Sequence, residues 1–181
     1  IQMDLKIFFK KFNKLNINIK NKNNNLKWSK WINWCNYIRK EFTPKIEDYK
    51  THQGKINIYH FIITLFKLLK KNEIIVAADG TATVVPNQVG YLNKNIKYIA
   101  NSGSASMGFE LPGAIGAAIA DRKKKIICLA GDGSIMMNFQ ELQTIKSLNL
   151  NIIIFLINND GYLSIKQTQK NFFGKEHGSS P

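Results

Sequence analysis

Two apolar runs, Ile126–Ala130 and Ile152–Ile157, have the length and continuity of buried parallel strands. Each stops abruptly in polar and glycine residues: Gly131-Asp132-Gly133-Ser134 after the first, Asn158-Asn159-Asp160-Gly161 after the second. Between them Phe139, Leu142, Ile145 and Leu148 fall on one face of a helix, and Asn138 and Glu141 stand in N-cap and N3 spacing. The pattern predicts a strand–helix–strand unit with a right-handed crossover. Both polar clusters then emerge at one carboxyl edge of the sheet, where open α/β sheets bind ligands.

The same alternation extends upstream. Phe61, Ile62, Leu65, Phe66, Leu68 and Leu69 predict a helix from Asn57, and Ile74–Ala78 a strand that ends at Asp79-Gly80-Thr81-Ala82-Thr83. Lys97–Ala100 reads as a short strand leading into a turn over Asn101–Gly108. A helix over Phe109–Ala120 follows, with Gly113, Gly116 and Ala117 as a small-residue face for tight packing. After Tyr162 the segment to Lys170 is predicted helical and Asn171–Pro181 loop. Near the start, Leu5, Phe8, Phe9 and Phe12 form a short helical pattern, and Asn13–Lys27 reads as linker. Trp28, Trp31, Ile32, Cys35 and Ile38 predict a further helix that Thr43-Pro44 ends.

Composition narrows the function classes. The 181 residues suit one domain with appendages, and there is no run of eighteen apolar residues to span a membrane. A formal charge of +14 would suit a polyanion partner, and lysines beside the tryptophan helix would suit a nucleic-acid platform. The basic residues are mostly scattered lysines in a chain also rich in Asn and Ile, without a nucleic-acid motif. Compositional drift and a surface-packed helix are therefore the preferred readings, with no specific nucleic-acid partner. Cys35 and Cys128 share no metal or redox spacing, Cys128 reads as a core residue, and a reducing, cytoplasmic setting fits. His52, His60 and His177 lie in no motif. The chain begins at Ile1 without an initiator methionine or signal-peptide layout, and both ends read as cut from a longer protein.

The two polar clusters carry the candidate chemistry. Asp132 offers a hard anionic oxygen and Asn159 an amide oxygen, while Gly131, Gly133 and Gly161 admit close backbone approach. Magnesium takes few protein ligands and fills its octahedron with phosphate oxygens and water. Asp132, Asn159 and the Gly161 carbonyl would leave room for two diphosphate oxygens and a water. A helix N-terminus near Ser134 would favour the anion. A lone Gly-Asp-Gly is more simply a tight turn, but two clusters on successive strand ends favour a ligand. Dinucleotide binding fails on Met136, which stands where the third fingerprint glycine belongs, and no P-loop pattern occurs.

Gly131-Asp132-Gly133 followed by Asn158-Asn159 resembles the metal–diphosphate motif of thiamine diphosphate enzymes. The surrounding wording is similar to the acetolactate synthase-like branch. Residues 101–117, NSGSASMGFELPGAIGA, resemble that branch's glycine-rich turn and helix, and Asn159-Asp160-Gly161-Tyr162 with Ile165–Gln169 its following segment. The resemblance covers roughly Ile56 to Phe173. It implies the thiamine diphosphate-binding fold: α/β, doubly wound, a mostly parallel sheet with helices on both faces. Residues 1–50 would be the tail of a preceding central domain plus a linker helix, and 51–181 the thiamine diphosphate/magnesium-binding domain, truncated at its C-terminus.

The resemblance further implies a metal site of Asp132, Asn159 and Gly161. Cofactor contacts would come from Thr81, Ala82, Ala105, Ser106, Met107, Gly131, Gly133, Ser134, Asn159, Gly161 and Tyr162. Met107 would wedge beneath the bent cofactor, and the Ala105 carbonyl would meet its 4′-amino group. One departure is plain: Thr81-Ala82-Thr83 stand where acetolactate synthases carry a Gly-Gln-His segment. The implied activity is that of a lyase or transferase that decarboxylates a 2-keto acid and joins it to an acceptor, as a homodimer or homotetramer. The family's activating glutamate belongs to an N-terminal pyrimidine-binding domain of a partner subunit, so no catalytic residue is expected in this chain. The alternative is a non-catalytic cofactor-binding or interaction fragment.

Overall fold

The computed structural model describes residues 4–14, 24–43, 45, 47, 49, 54–70, 72–90 and 95–178. The chain divides into two compact units, Ile1–Thr43 and Pro44–Pro181.

The first unit holds two helices, α1 (Leu5–Lys14) and α2 (Asn24–Phe42). Asp4 Oδ1 accepts from the amide of Lys6 at 2.9 Å and caps α1. Phe8 stacks on Phe12, and on α2 Trp31 stacks on Trp34, with ring centroids 5.8 and 5.0 Å apart. The predicted linker is shorter than expected, because Asn13 and Lys14 finish α1 and Asn24–Lys27 begin α2. Its centre lies outside the described residues.

The second unit runs α3 (Ile58–Leu68), β1 (Ile74–Ala77), α4 (Thr81–Val89), β2 (Lys97–Ala100), α5 (Glu110–Ala120), β3 (Ile126–Gly131), α6 (Asp132–Ile135), α7 (Glu141–Ser147), β4 (Ile152–Ile157) and α8 (Leu163–Phe173). The four strands are all parallel, in the order β2-β1-β3-β4. From β1 the chain moves outward to β2 and then returns to the other side of β1. The strand order therefore reverses between β1 and β3, which is the switch point of a doubly wound sheet.

Strand alternation builds a core on each face. Ile75, Ala77, Ile127 and Leu129 pack with Ile62, Leu65 and Phe66 of α3 and Ala82 and Val85 of α4. Ile74, Val76, Ile126, Cys128 and Ala130 pack with Leu111, Ala114 and Ala118 of α5. Asn57 caps α3, its Oδ1 accepting the amide of Tyr59 at 2.9 Å. Gly113 is the close approach on α5: a Cβ there would lie 3.0 Å from Val76. Gly116, expected on the same packed face, is exposed, and a Cβ there would point into open space.

Three elements differ from the sequence reading. Helix α4 follows β1 where only a polar turn was expected. Its β-branched residues and Pro86 are poor helix formers, but Ala82, Thr83, Val85 and Pro86 are buried, and that packing outweighs propensity. The expected capping box of Asn138 and Glu141 does not form. Helix α7 starts at Glu141 with no side-chain cap, buries no residue completely, and leaves Phe139 and Leu142 exposed. Helix α8 runs three residues past Lys170, to Phe173, and Gly174 ends it in the left-handed conformation.

Candidate functional site

The carboxyl ends of β1, β3 and β4 meet around one cleft. Thr81 and Ala82 line it from the first turn of α4, Met107 from the loop after β2, Gly131–Ser134 from the turn after β3, and Asn159 and Tyr162 from the loop after β4. Among the predicted site residues these nine line the cleft. Gly161 is buried behind it. Ala105 lines instead an adjoining groove with Asp79, Gly80, Thr83 and Ser102, and Ser106, exposed, lines neither.

Asp132 is the fixed point. Its Oδ1 accepts the Gly133 amide at 2.9 Å, and its Oδ2 accepts the amides of Asn159 at 3.1 Å and Gly161 at 2.8 Å. These charge-assisted bonds tie the β3 and β4 turns together. The receiving loop has three successive positive φ angles, Asp160 at 63°, Gly161 at 69° and Tyr162 at 34°. That run turns two amides toward one carboxylate, and two of its residues carry side chains in a conformation that favours glycine. Tyr162 is then laid against Gly133, where an added Cβ would sit 2.8 Å from the ring. The helix N-terminus expected near Ser134 is that of α6, a single turn whose Gly133 amide is already engaged by Asp132.

Behind the cleft runs a buried network that the sequence reading missed. Ser134, 7% exposed, accepts the Gly108 amide at 2.9 Å and donates to Glu110 Oε2 at 3.0 Å. Asn138 Nδ2 donates to the Gly108 carbonyl at 2.9 Å, so Asn138 serves this turn and not a helix cap. Glu110 is completely buried. Burial raises its pKa, and the nearby Asp79 charge adds to the rise. The amides of Glu110 and Gly108 and the Ser134 hydroxyl oppose it. Burial, and secondarily Glu110, push the Cys128 thiol up to about 12, in keeping with an inert core cysteine. The signal for the network was the lone acid in the otherwise apolar stretch Met107-Gly108-Phe109-Glu110-Leu111.

The electrostatics of the lining limit what the cleft can hold. Asp79 and Asp132 are its acids, and among the described residues no Lys, Arg or His lines it. An anionic ligand there requires a cation of its own. Asp132 keeps lone pairs beyond its three amide bonds, and Asn159 adds an amide oxygen, so the donor chemistry fits magnesium. Among the described residues no three His, Cys, Asp or Glu side chains cluster as a protein-only metal site. His60 lies half-buried on α3 and His177 is exposed beside Gln169 and Phe173, both outside the cleft, while His52 lies outside the described residues.

A parallel, doubly wound sheet with one fixed carboxylate at its switch point defines a ligand-binding α/β domain. Residues 79–181 match the family described as thiamine pyrophosphate enzyme, C-terminal TPP binding domain, and the chain belongs to that family. It is 36% identical over 133 residues to the acetolactate synthase large subunit of Buchnera aphidicola subsp. Schizaphis graminum, covering 74% of this chain and 23% of that protein. To the acetolactate synthase isozyme 1 large subunit of Escherichia coli K12 it is 33% identical over 148 residues, 80% of this chain and 25% of that one. A probable acetolactate synthase large subunit of Methanococcus aeolicus is 32% identical over 168 residues, 90% and 28% of the two chains. The chain thus spans about a quarter of the length of the curated relatives it matches. No helix among the described residues is long and apolar enough to cross a membrane.

Proposed function

We propose that the cleft binds thiamine diphosphate through magnesium, with Asp132, Asn159 and the Gly161 carbonyl as the protein's metal ligands. The observation that carries this is a carboxylate locked by three backbone amides in a cleft that no basic side chain among the described residues lines. Thr81, Ala82, Gly131, Gly133 and Ser134 flank the diphosphate end. Met107 supports the rings and Tyr162 completes the wall, while Ala105, through its carbonyl, and Ser106 approach the pyrimidine end from the loop after β2, outside the cleft lining itself. The cofactor, when bound, supplies the chemistry that cleaves the carboxylate from a 2-keto acid. The protein's share is to hold the metal, fix the cofactor's bend and exclude water on one side.

The parent enzyme, in this reading, decarboxylates a 2-keto acid and joins the product to an acceptor, as acetolactate synthases do. Among the described residues no glutamate stands where it could activate the cofactor. Of the glutamates that could be considered, Glu110 is sealed behind Ser134, Glu73 is bonded to the Lys70 amide, and Glu141 starts α7. None lines the cleft. The activating carboxylate is therefore assigned to a pyrimidine-binding domain of a partner subunit. Calorimetric titration with thiamine diphosphate and magnesium tests the metal assignment. Asp132→Ala should weaken binding by about 100-fold or more, since a charge-assisted bond network and a metal ligand are lost together. Equal affinity in the variant would refute it.

A further inference from the structure

Two turns must stand at a set distance for one rigid cofactor to touch both: the Asp132 turn at the diphosphate end and the Met107 turn at the ring end. In this structure the link between them is not in the cleft but behind it. Gly108, next to Met107, is held on both sides by the segment that follows Asp132. Its amide donates to Ser134 Oγ at 2.9 Å, and its carbonyl accepts from Asn138 Nδ2 at 2.9 Å. Gly108 has φ 82°, and a Cβ there would lie 2.7 Å from Met137, so the turn is pressed directly on that segment. A serine hydroxyl can rotate and point its lone pairs elsewhere. Glu110 decides its direction: Oε2 accepts the hydroxyl proton at 3.0 Å, which leaves Ser134 Oγ as acceptor for Gly108.

Nothing in core packing requires a carboxyl there. Leu111, Ala114 and Ala118 supply the apolar face of α5, and Glu110 is completely buried among the same elements. Its Oε1 has no hydrogen-bond partner of good geometry among the described residues. Beyond Ser134 only the amides of Glu110 and Gly108 act on the carboxyl, and burying it is costly, so its place here is better explained by what it orients than by filling space.

We propose that Glu110 is a positioning residue: by orienting the Ser134 hydroxyl it fixes the Gly108 amide, and with it Met107, relative to the Asp132 turn. The consequence for ligands rests on the cofactor reading given above. Inorganic pyrophosphate with magnesium engages the Asp132 turn alone, whereas thiamine diphosphate engages both turns. Glu110 therefore governs the extra affinity of the whole cofactor over pyrophosphate, not the affinity for pyrophosphate itself.

The test uses the 181-residue chain and three variants: Glu110→Leu, Glu110→Gln and Ser134→Ala. In the ligand-free chain, exchange of the Gly108 amide is followed by NMR. Glu110→Leu and Ser134→Ala should each speed it by about tenfold or more, the effect of losing a buried hydrogen bond, while Glu110→Gln, whose amide oxygen still accepts from Ser134, should stay close to the parent. Calorimetry with magnesium pyrophosphate should show no change in Glu110→Leu. With thiamine diphosphate and magnesium the same variant should bind about tenfold more weakly, and Glu110→Gln should recover the difference. Unchanged Gly108 exchange in Ser134→Ala overturns the proposal, even if Glu110→Leu fails to fold. So does an equal loss of both ligands in Glu110→Leu, which marks general damage. A parent chain that binds neither ligand sinks the cofactor reading, but the exchange measurement still decides whether Glu110 sets the Gly108 turn.

Discussion

The two halves of the cleft are built differently. On the β3–β4 side the turns close on each other through the protein's own groups: Asp132 draws in the amides of Asn159 and Gly161, and Tyr162 lies on Gly133. On the β1–β2 side the segments Asp79–Thr83 and Asn101–Ser106 share an open groove. Gly103, Ser104, Ala105 and Ser106 are exposed, and Ala105 holds a φ of 49°. The difference teaches where the site is complete in itself. In the proposed reading metal and diphosphate would meet a preorganised half, and the ring end an open one that a second surface would complete.

The largest effect expected from this asymmetry is on turnover. The chain alone, with thiamine diphosphate and magnesium, should release no carbon dioxide from pyruvate or larger 2-keto acids above the rate of the cofactor in buffer. A pyrimidine-binding domain supplied in trans should restore release. Activity from the chain alone would mean that the open half is already competent.

A strain placed in the closed half comes next. Gly133→Ala should cost about 1–3 kcal/mol in chemical denaturation, because the new methyl displaces the Tyr162 ring. In the double variant with Tyr162→Ala the penalty should shrink, and strictly additive losses would show that Gly133 and Tyr162 do not press on each other.

Met107 stands between the halves, half-buried and lining the cleft. Met107→Ala should therefore lower apo stability by less than the roughly 2–5 kcal/mol of a core methionine, while altering the bound cofactor's near-ultraviolet dichroism. A large loss in the apo melt would return Met107 to the core.

The smallest effect is a pH slope from Glu110. Burial raises its native pKa, with Asp79 and Cys128 as its charged or titratable neighbours. Its contribution is fully present below the unfolded chain's ordinary carboxylate range and is lost as pH rises toward the native value. Stability should fall with rising pH across that window, and Glu110→Gln should flatten the fall. An unchanged slope in the variant would place its origin in another group.

Much of the fold was legible because burial writes itself into composition. The strands begin at their predicted residues and end within one residue of prediction: the unbroken apolar runs of β1 and β3 suit parallel strands buried on both faces, whereas β4, expected to be buried like β3, is an edge strand that leaves Ile153 and Leu156 exposed. Asp132 and Asn159 were legible for a related reason: polar residues directly after such runs must lie at the sheet's carboxyl edge. Helix α4 was not legible, because Thr, Val and Pro speak against a helix and only packing against α3 and β3 reverses them.

From the sequence alone came the α/β class, the strand ends, the polar clusters and the family's motif. Tertiary structure alone decided the rest. Asn138 has the spacing of a cap, yet a neighbouring carbonyl thirty residues earlier claims its amide. Ala105 belongs to the motif, yet a left-handed backbone sets it in the groove beside the cleft. Glu110 looks like a surface acid at a helix start, yet β3 and the Asp132 turn seal it from water and give it Ser134 as a partner. Periodicity and composition record how often a residue is buried along its own element. Which distant backbone group completes a hydrogen bond depends on how elements far apart in the chain are brought together, and local pattern carries no record of that.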